Sequence, residues 1–297
     1  MFNFNLFIMK KFLLIFASIL MLISCNGVVF DDGGSADNAK TKKFTFTMKG
    51  DFSNEWKPVT RGYLATDGRD LTDVWVLDYK DGVLVQQLHQ DDNTAEDFGR
   101  PVMNLTMGSH HIYFVASRGT SPVLTTNDHT VTFAKPNDTF WKDYAVEVVP
   151  TSNGNRAVTL DRVATKMRLT FTDEIPAGAA SFVITPATWY YGIDYISGLP
   201  CAPASSQPFT VTIPANYIGT TGTFVTVYGI SPAEEWQTDI AVSAKNGNSE
   251  AMGAVTITDA PFKANRATEY AGPLFGSSGS LTLSLNAEWQ DSYTGEW

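Results

Sequence analysis

Cysteine is almost absent from this chain. Only Cys25 and Cys201 occur in 297 residues, so no disulfide framework holds the fold and stability must come from apolar cores. Catalytic punctuation is missing as well. No HExxH, nucleophile elbow, phosphate-cradling glycine loop or paired-cysteine metal spacing occurs. The four histidines are His89, His110, His111 and His129. His110 and His111 are adjacent in a strand-like stretch, so they face opposite sides and cannot easily share one ion. They read as surface or pocket-edge side chains. The acid pairs Asp91–Asp92 and Glu234–Glu235 fall in loop-like stretches, where solvation is expected. The run DDGGSAD at 31–37 looks like a calcium loop but lacks a terminal bidentate Glu. Basic charge is scarce too: 21 Lys and Arg stand against 31 Asp and Glu, a formal net charge of −10. No basic stripe exists, which argues against a nucleic-acid groove. These absences point away from an enzyme, a cofactor, a metal site and a nucleic-acid partner.

What is present forms sheet. Apolar residues make up 43% of the chain, enough for real cores, and low charge with many Thr, Val, Ser and Gly favours strands over helices. The length suits one large or two ordinary domains. The stretch that organises the chain is VTLDRVATKMRLTFTD at 158–173. From Val163 it alternates: Val163, Met167, Leu169 and Phe171 point one way, and Lys166, Arg168, Thr170 and Thr172 the other. That is the pattern of a half-buried strand with a charged outer face. Val158 and Leu160 are apolar in the opposite phase, so the register flips around Asp161–Arg162. A one-residue flip turns every side chain over. It marks either a junction between two β-domains or a bulged strand within one sheet. The junction is the expectation, with domains over 44–157 and 158–297.

The first 24 residues stand outside the fold. Lys10 and Lys11 precede FLLIFASILMLIS, an apolar run too brief for a comfortable membrane span. It ends in Leu22-Ile23-Ser24-Cys25, which resembles the lipobox of bacterial lipoproteins, where the cysteine is acylated and becomes the mature N-terminus. Removing this leader takes away two lysines and no acid, which leaves the mature chain at −12. With Cys25 lipidated, no internal disulfide is possible, and Cys201 reads as a buried or inert thiol. Residues 25–43 read as a flexible tether. The segment FTFTMK at 44–49 then places Phe44, Phe46 and Met48 on one face, a first strand. TDVWVLDY at 72–79, the turn Lys80-Asp81-Gly82 and VLVQQLH form a hairpin. PVMNLTMG, HHIYFVAS, TVTFA and TFWKDYAVEVV follow, the last with room for a helical turn before its strand. TSNGN at 151–155 is a turn. SFVIT, TWYYGIDYI, PFTVTIP, GTFVTVYGI, DIAVSA, GAVTIT and LTLSLNAEW recur at short spacing with Gly, Pro or Asn between them. Two β-sandwiches in tandem fit best.

One aromatic cluster stands out, Trp189, Tyr190, Tyr191 and Tyr195 in TWYYGIDYI. On an exposed sheet such rings stack on sugars or anchor a protein. In a sandwich, alternate rings fill the core and the rest cover a domain interface, which is the favoured reading here.

Several segments together resemble the fimbrillin, or type V pilin, family of anaerobic Gram-negative bacteria, in particular its fimbrillin-like lipoproteins. They are the lipobox at Cys25, Thr60-Arg61, DVWVLDYKDG at 73–82, NLTMGSHHIYFVAS at 104–117, VTLDRVATKMRLTF, ANRATEYAGPLFG at 264–276 and the following LTLSLNAEW. The resemblance implies two transthyretin-like β-sandwich domains, export to the outer membrane through lipid on Cys25, and assembly with other fimbrial subunits at the cell surface. In polymerising members a protease cuts after an arginine beyond the first strand, that strand leaves, and a neighbour's strand fills the groove. Carried over, the removable strand is Phe44–Lys49 and the cut falls at Arg61–Gly62. The sequence departs from the pattern at its end. After Leu285 the tail NAEWQDSYTGEW is acidic and alternates poorly, which suits a tip, accessory or anchor subunit, or a stand-alone adhesin, better than a stalk subunit donating its C-terminus. The alternative is a glycan-binding surface lipoprotein using the Trp189–Tyr195 aromatics, with a host or glycan ligand.

Overall fold

Alternating apolar segments turn into strands, and little else forms. The computed structural model describes residues 40–50, 71–118, 122–205, 207–275 and 282–286. The first half holds β1 (Lys42–Gly50), β2 (Asp73–Lys80), β3 (Val83–Gln90), β4 (Val102–Leu105), β5 (Gly108–Ser117), β6 (Val123–Thr125), β7 (Thr130–Thr132), β8 (Thr139–Val148) and β9 (Asn155–Arg162). The second holds β10 (Ala164–Phe171), β11 (Ala179–Pro186), β12 (Thr188–Asp194), β13 (Pro200–Ser205), β14 (Phe209–Thr212), β15 (Thr223–Ile230), β16 (Trp236–Asn246), β17 (Ala251–Phe262), β18 (Ala267–Gly272) and β19 (Thr282–Asn286). Among the described residues one 3-10 turn occurs, at Ala215–Tyr217. The chain is all-β, built as two sandwiches in tandem.

The first sandwich is one hydrogen-bonded order, β3-β2-β5-β8-β9-β1-β4, folded over on itself at β9. Residues 155–160 of β9 run parallel to β1, whereas Asp161 and Arg162 pair with Trp141 and Phe140 of β8. One strand therefore belongs to both layers. Between the layers lie Phe44, Phe46, Met48, Val74, Val76, Ile112, Phe114, Phe140, Val158 and Leu160, all buried. The β2–β3 hairpin turns on Asp81 (φ 52°) and Gly82 (φ 78°), the two positive-φ positions that a right-twisted two-residue loop needs. The stretch at 139–149 is strand throughout over Thr139–Val148, with no helical turn.

The second sandwich stacks β15-β10-β18-β19 on β14-β11-β16-β17. Its core contains Met167, Leu169, Phe171, Phe182, Ile184, Trp189, Val225, Val242, Phe262 and Tyr270. A third, small sheet in the order β13-β12-β7-β6 joins the halves, because β7 of the first pairs with β12 of the second. Around it a junction cluster gathers Leu77, Tyr79, Tyr113, Val131, Val163, Ile193, Tyr195 and Ile230.

The register flip at Asp161–Arg162 is the crossing between sandwiches. Arg162 ends the first sheet and Ala164 starts the second, so no continuous sheet runs from β8 into β10. β9 itself runs through the expected boundary at 157–158 and ends at Arg162. Two details of the alternation need correcting. Val163 sits in the junction cluster, apart from Met167, Leu169 and Phe171. Lys166, expected on an exposed face, is 3% exposed, and every residue from Ala164 to Met167 is buried. Alternation of burial holds only from Met167 onward, because the start of β10 lies against the junction and is covered on both faces.

Candidate functional site: the groove filled by the first strand

β1 is the strand that closes the first sandwich. It lies between β4, antiparallel, with Phe44 opposite Met103, and β9, parallel, with Met48 opposite Val158. Alternation sends Phe44, Phe46 and Met48 inward, each 0% exposed, and leaves Lys43, Thr47 and Lys49 on the outer face. Phe46 packs edge-on against Phe114 at 5.4 Å and Tyr144 at 6.0 Å between ring centroids. The guanidinium of Arg156 caps Phe44 at 5.1 Å from its ring centroid and donates to the Asn153 carbonyl.

Backbone bonds hold β1 on both sides. The Thr45 N–H donates to the Gly154 carbonyl (2.7 Å), Phe46 to Pro101 (3.0 Å) and Met48 to Gly99 (3.1 Å). Gly154 has to be glycine, since a Cβ there would collide with the Lys43 carbonyl oxygen. Without β1, Gly99, Pro101 and Gly154 would present unpaired acceptors beside a row of apolar pockets, the geometry into which an extended strand binds.

The walls are braced from outside. Gln90 donates to the Asp97 carbonyl at 3.0 Å and accepts the Gly99 N–H at 3.0 Å, which orders the loop forming one wall. At the far end of β4, Lys80 Nζ donates to the Met107 carbonyl at 2.8 Å and Thr106 Oγ1 at 3.1 Å. Beneath it His110, 1% exposed, pairs its Nδ1 with Asp78 at 2.7 Å and its Nε2 with the Thr106 carbonyl at 3.0 Å. A carbonyl only accepts, so Nε2 carries the hydrogen. Burial pushes the Asp78 carboxyl up from its ordinary value, against the lowering pull of the His110 bond. His110 is thus no surface group. It and Asp78 occupy the inward phase of β5 and β2, between apolar neighbours of the same phase, and that placement was the unused signal for a buried pair. His111, on the opposite face, is exposed and bonds Asp143 at 3.0 Å.

The other expected site residues fall elsewhere. Cys25 and Arg61 lie outside the described residues. The four aromatics form no platform. Trp189 is 1% exposed in the second core and donates from Nε1 to the Tyr228 carbonyl at 2.9 Å. Tyr195 is 0% exposed, with its hydroxyl 2.8 Å from that of Tyr79, across the junction. Burial raises its phenol pKa, and the Tyr79 bond adds to the rise. Tyr190 and Tyr191, half-buried, pack on Trp236 and Phe209. The favoured expectation, core plus interface, is what the strand delivers. Cys201 is half-buried with its thiol pushed up to about 11 by burial, away from the thiolate form that reacts. Among the described residues no cluster of three metal-ligating side chains occurs.

No family profile and no curated protein matches the chain. Solved structures do resemble it. A candidate adhesin from Bacteroides ovatus superposes with a TM-score of 0.50 at 11% identity, over 86% of this chain and 97% of that one. A second, from Bacteroides thetaiotaomicron, gives 0.51 at 8%, over 84% and 100%. The fimbrial anchor protein Mfa2 of Porphyromonas gingivalis aligns with a TM-score of 0.48 at 9% identity, over 83% and 98%. The two adhesin structures share the fold of this chain along nearly its whole length.

Proposed function

We propose that this chain is a non-enzymatic, structural or adhesive subunit of bacterial surface fimbriae, assembled by strand addition into the groove now filled by β1. In this reading it is an outer-membrane lipoprotein held at the cell surface through lipid on Cys25, and it partners other fimbrial subunits as a tip, accessory or anchor component. The observation that carries the reading is β1 itself: the first described strand, paired on both edges, that supplies three fully buried side chains to a core belonging to the rest of the sandwich. The fold shared with two candidate adhesins supports it.

The physics of exchange follows from burial. Phe44, Phe46 and Met48 each contribute roughly 1.5–3 kcal/mol on full burial, a large share of the about 5–15 kcal/mol that holds a domain together. An emptied groove is therefore strongly driven to take another strand with apolar residues at spacing two. Cleavage at Arg61–Gly62 would make β1 a separate chain and allow that replacement.

Fractionated cells test the assignment. The protein is expected in the outer-membrane fraction, in complexes with other fimbrial subunits that survive mild denaturant, and Cys25→Ala is expected to release it from the membrane. Stable anchoring needs more than one acyl chain, so its loss should be complete. A protein recovered only as a monomer, with no subunit attached under any mild extraction, would contradict the assignment.

A further inference from the structure

Packing imposes glycine at 154, and that alters the chemistry of the residue before it. The Lys43 carbonyl leaves no room for a Cβ at Gly154, so the turn that meets β1 admits no side chain there. The preceding residue, Asn153, is exposed. An asparagine followed by glycine is prone to cyclise, because nothing shields the next backbone nitrogen from the side-chain amide carbon. The sequence holds three such pairs: Asn26–Gly27, which lies outside the described residues, Asn153–Gly154 and Asn246–Gly247. The fold treats the last two differently. Asn246 is clamped: its Oδ1 accepts the N–H of Asn248 (3.0 Å) and of Glu250 (2.9 Å), and its Nδ2 donates to Glu250 Oε2 at 2.8 Å. The Asn153 side chain makes one hydrogen bond among the described residues, accepting the Asn155 N–H on Oδ1 at 3.0 Å. That bond polarises the amide carbonyl and would steady the oxyanion formed by attack on its carbon. It does nothing to hold the nitrogen that would depart.

We propose that Asn153 is a self-modifying site, which loses ammonia to become aspartate or isoaspartate and thereby loosens β1. The Gly154 nitrogen attacks Cγ of Asn153 and closes a succinimide. The Cγ–Nδ2 bond breaks, and Nδ2 leaves as ammonia with the proton from Gly154. Water then opens the ring on either side. Cleavage of the new N–Cγ bond gives aspartate. Cleavage of the original peptide bond gives isoaspartate, with the main chain rerouted through the side chain and one methylene longer. Either product places a carboxylate where none stood. Arg156 already donates to the carbonyls of Asn153 and Asn155 while capping Phe44. In isoaspartate the former Asn153 carbonyl becomes a carboxylate oxygen, so that bond gains charge. Gly154 follows the added methylene directly, and its carbonyl is the acceptor of the Thr45 N–H at 2.7 Å. A lengthened chain moves this acceptor, and β1 loses its hold at Thr45. The site rests on the turn beside β1 and does not depend on the fimbrial assignment.

Peptide mapping of the folded full chain, sampled during incubation at neutral to mildly alkaline pH, tests the site. Asn153 should convert several-fold faster than Asn246, with isoaspartate among the products. Its rate should rise with pH, because the attacking nitrogen must give up its proton. In urea the two rates should approach each other, since only the fold distinguishes them. Hydrogen exchange on the same samples should show residues 42–50 exchanging several-fold faster in converted chains. Asn153→Gln, whose longer side chain closes the ring far more slowly, should keep β1 protected through the same incubation. Equal rates at Asn153 and Asn246 in the folded chain would overturn the proposal, as would conversion of Asn153 in urea alone. So would converted chains whose β1 exchanges as before, or a Gln variant that loses protection equally.

Discussion

Asp73 shows what single residues decide here. It is 2% exposed in β2 and bonds His89 at 2.9 Å, and Trp75 lies flat on that imidazole at 3.8 Å between centroids. Burial raises the Asp73 carboxyl above its ordinary 3.8, with the His89 bond pulling the other way. A raised folded value means the folded state holds the proton more tightly than the unfolded chain. The contribution of Asp73 is therefore fully present below 3.8 and lost as pH climbs through the folded value. Urea midpoints of the wild type and Asp73→Asn should be compared from about pH 3 up to about 5.5. The wild type should lose ground to the variant as pH rises; a constant or growing wild-type advantage would contradict the assignment. Sequence reading saw the apolar phase at this scale and missed its polar exceptions. Phe44, Phe46, Met48, Met167, Leu169 and Phe171 all point inward as the alternation requires. Asp78 and His110 share the inward phase of their apolar neighbours on β2 and β5, so the alternation itself carried their burial. Lys166 lies in the outward phase and is buried only because β10 starts against the junction, which no local pattern records.

At the scale of the element, legibility followed length and alternation. β1, β2, β3, β5, β11, β15 and β16 were plain in the sequence because each alternates over several residues or ends in an unmistakable turn. β13 escaped notice: its sequence PCAPAS holds two prolines, which a strand tolerates only at an edge, and β13 is the edge of the small sheet. β6 is too short to alternate. β18 was seen only inside a family-like segment, though it is a central strand, hydrogen-bonded to β10 and β19. β10 remains the organising strand of the second sandwich, and Leu169→Asp should show it. That substitution puts a charge at a 0% exposed position between Val225 and Tyr270, at a cost of several kcal/mol. Thermal denaturation should reveal an early-melting second sandwich, whereas an unchanged profile would place Leu169 outside the core.

For the whole molecule, the sharing of one small sheet by both halves was invisible in the sequence, since β7 and β12 are far apart in the chain and pair over three residues. The tie is reinforced by ions. Arg162, at the crossing between the sandwiches, grips Asp138 with two bonds of 2.8 and 3.1 Å and reaches Asn265 of the second sandwich at 3.3 Å. Both charged side chains are nearly inaccessible. Breaking a buried pair by removing one partner typically costs about 3–5 kcal/mol, so Arg162→Ala should lower the denaturation midpoint sharply, while a surface pair such as Lys142–Asp161 should not matter. A mild effect at Arg162 would mean that Arg118, 3.5 Å from Asp138, suffices to neutralise it.

The central claim is that β1 is a replaceable part of a groove that the rest of the sandwich keeps ready. It is tested most directly by strand exchange on the purified chain. A fluorescent peptide with the sequence of residues 42–50 should not bind the intact protein. After trimming with an arginine-specific protease at Arg61, it should exchange in and raise the denaturation midpoint of the trimmed chain, and a peptide with Asp at the Phe44, Phe46 and Met48 positions should do neither. Exchange into the trimmed chain by the apolar peptide alone is the expected outcome. A trimmed chain that ignores both peptides, or takes them equally, would contradict it.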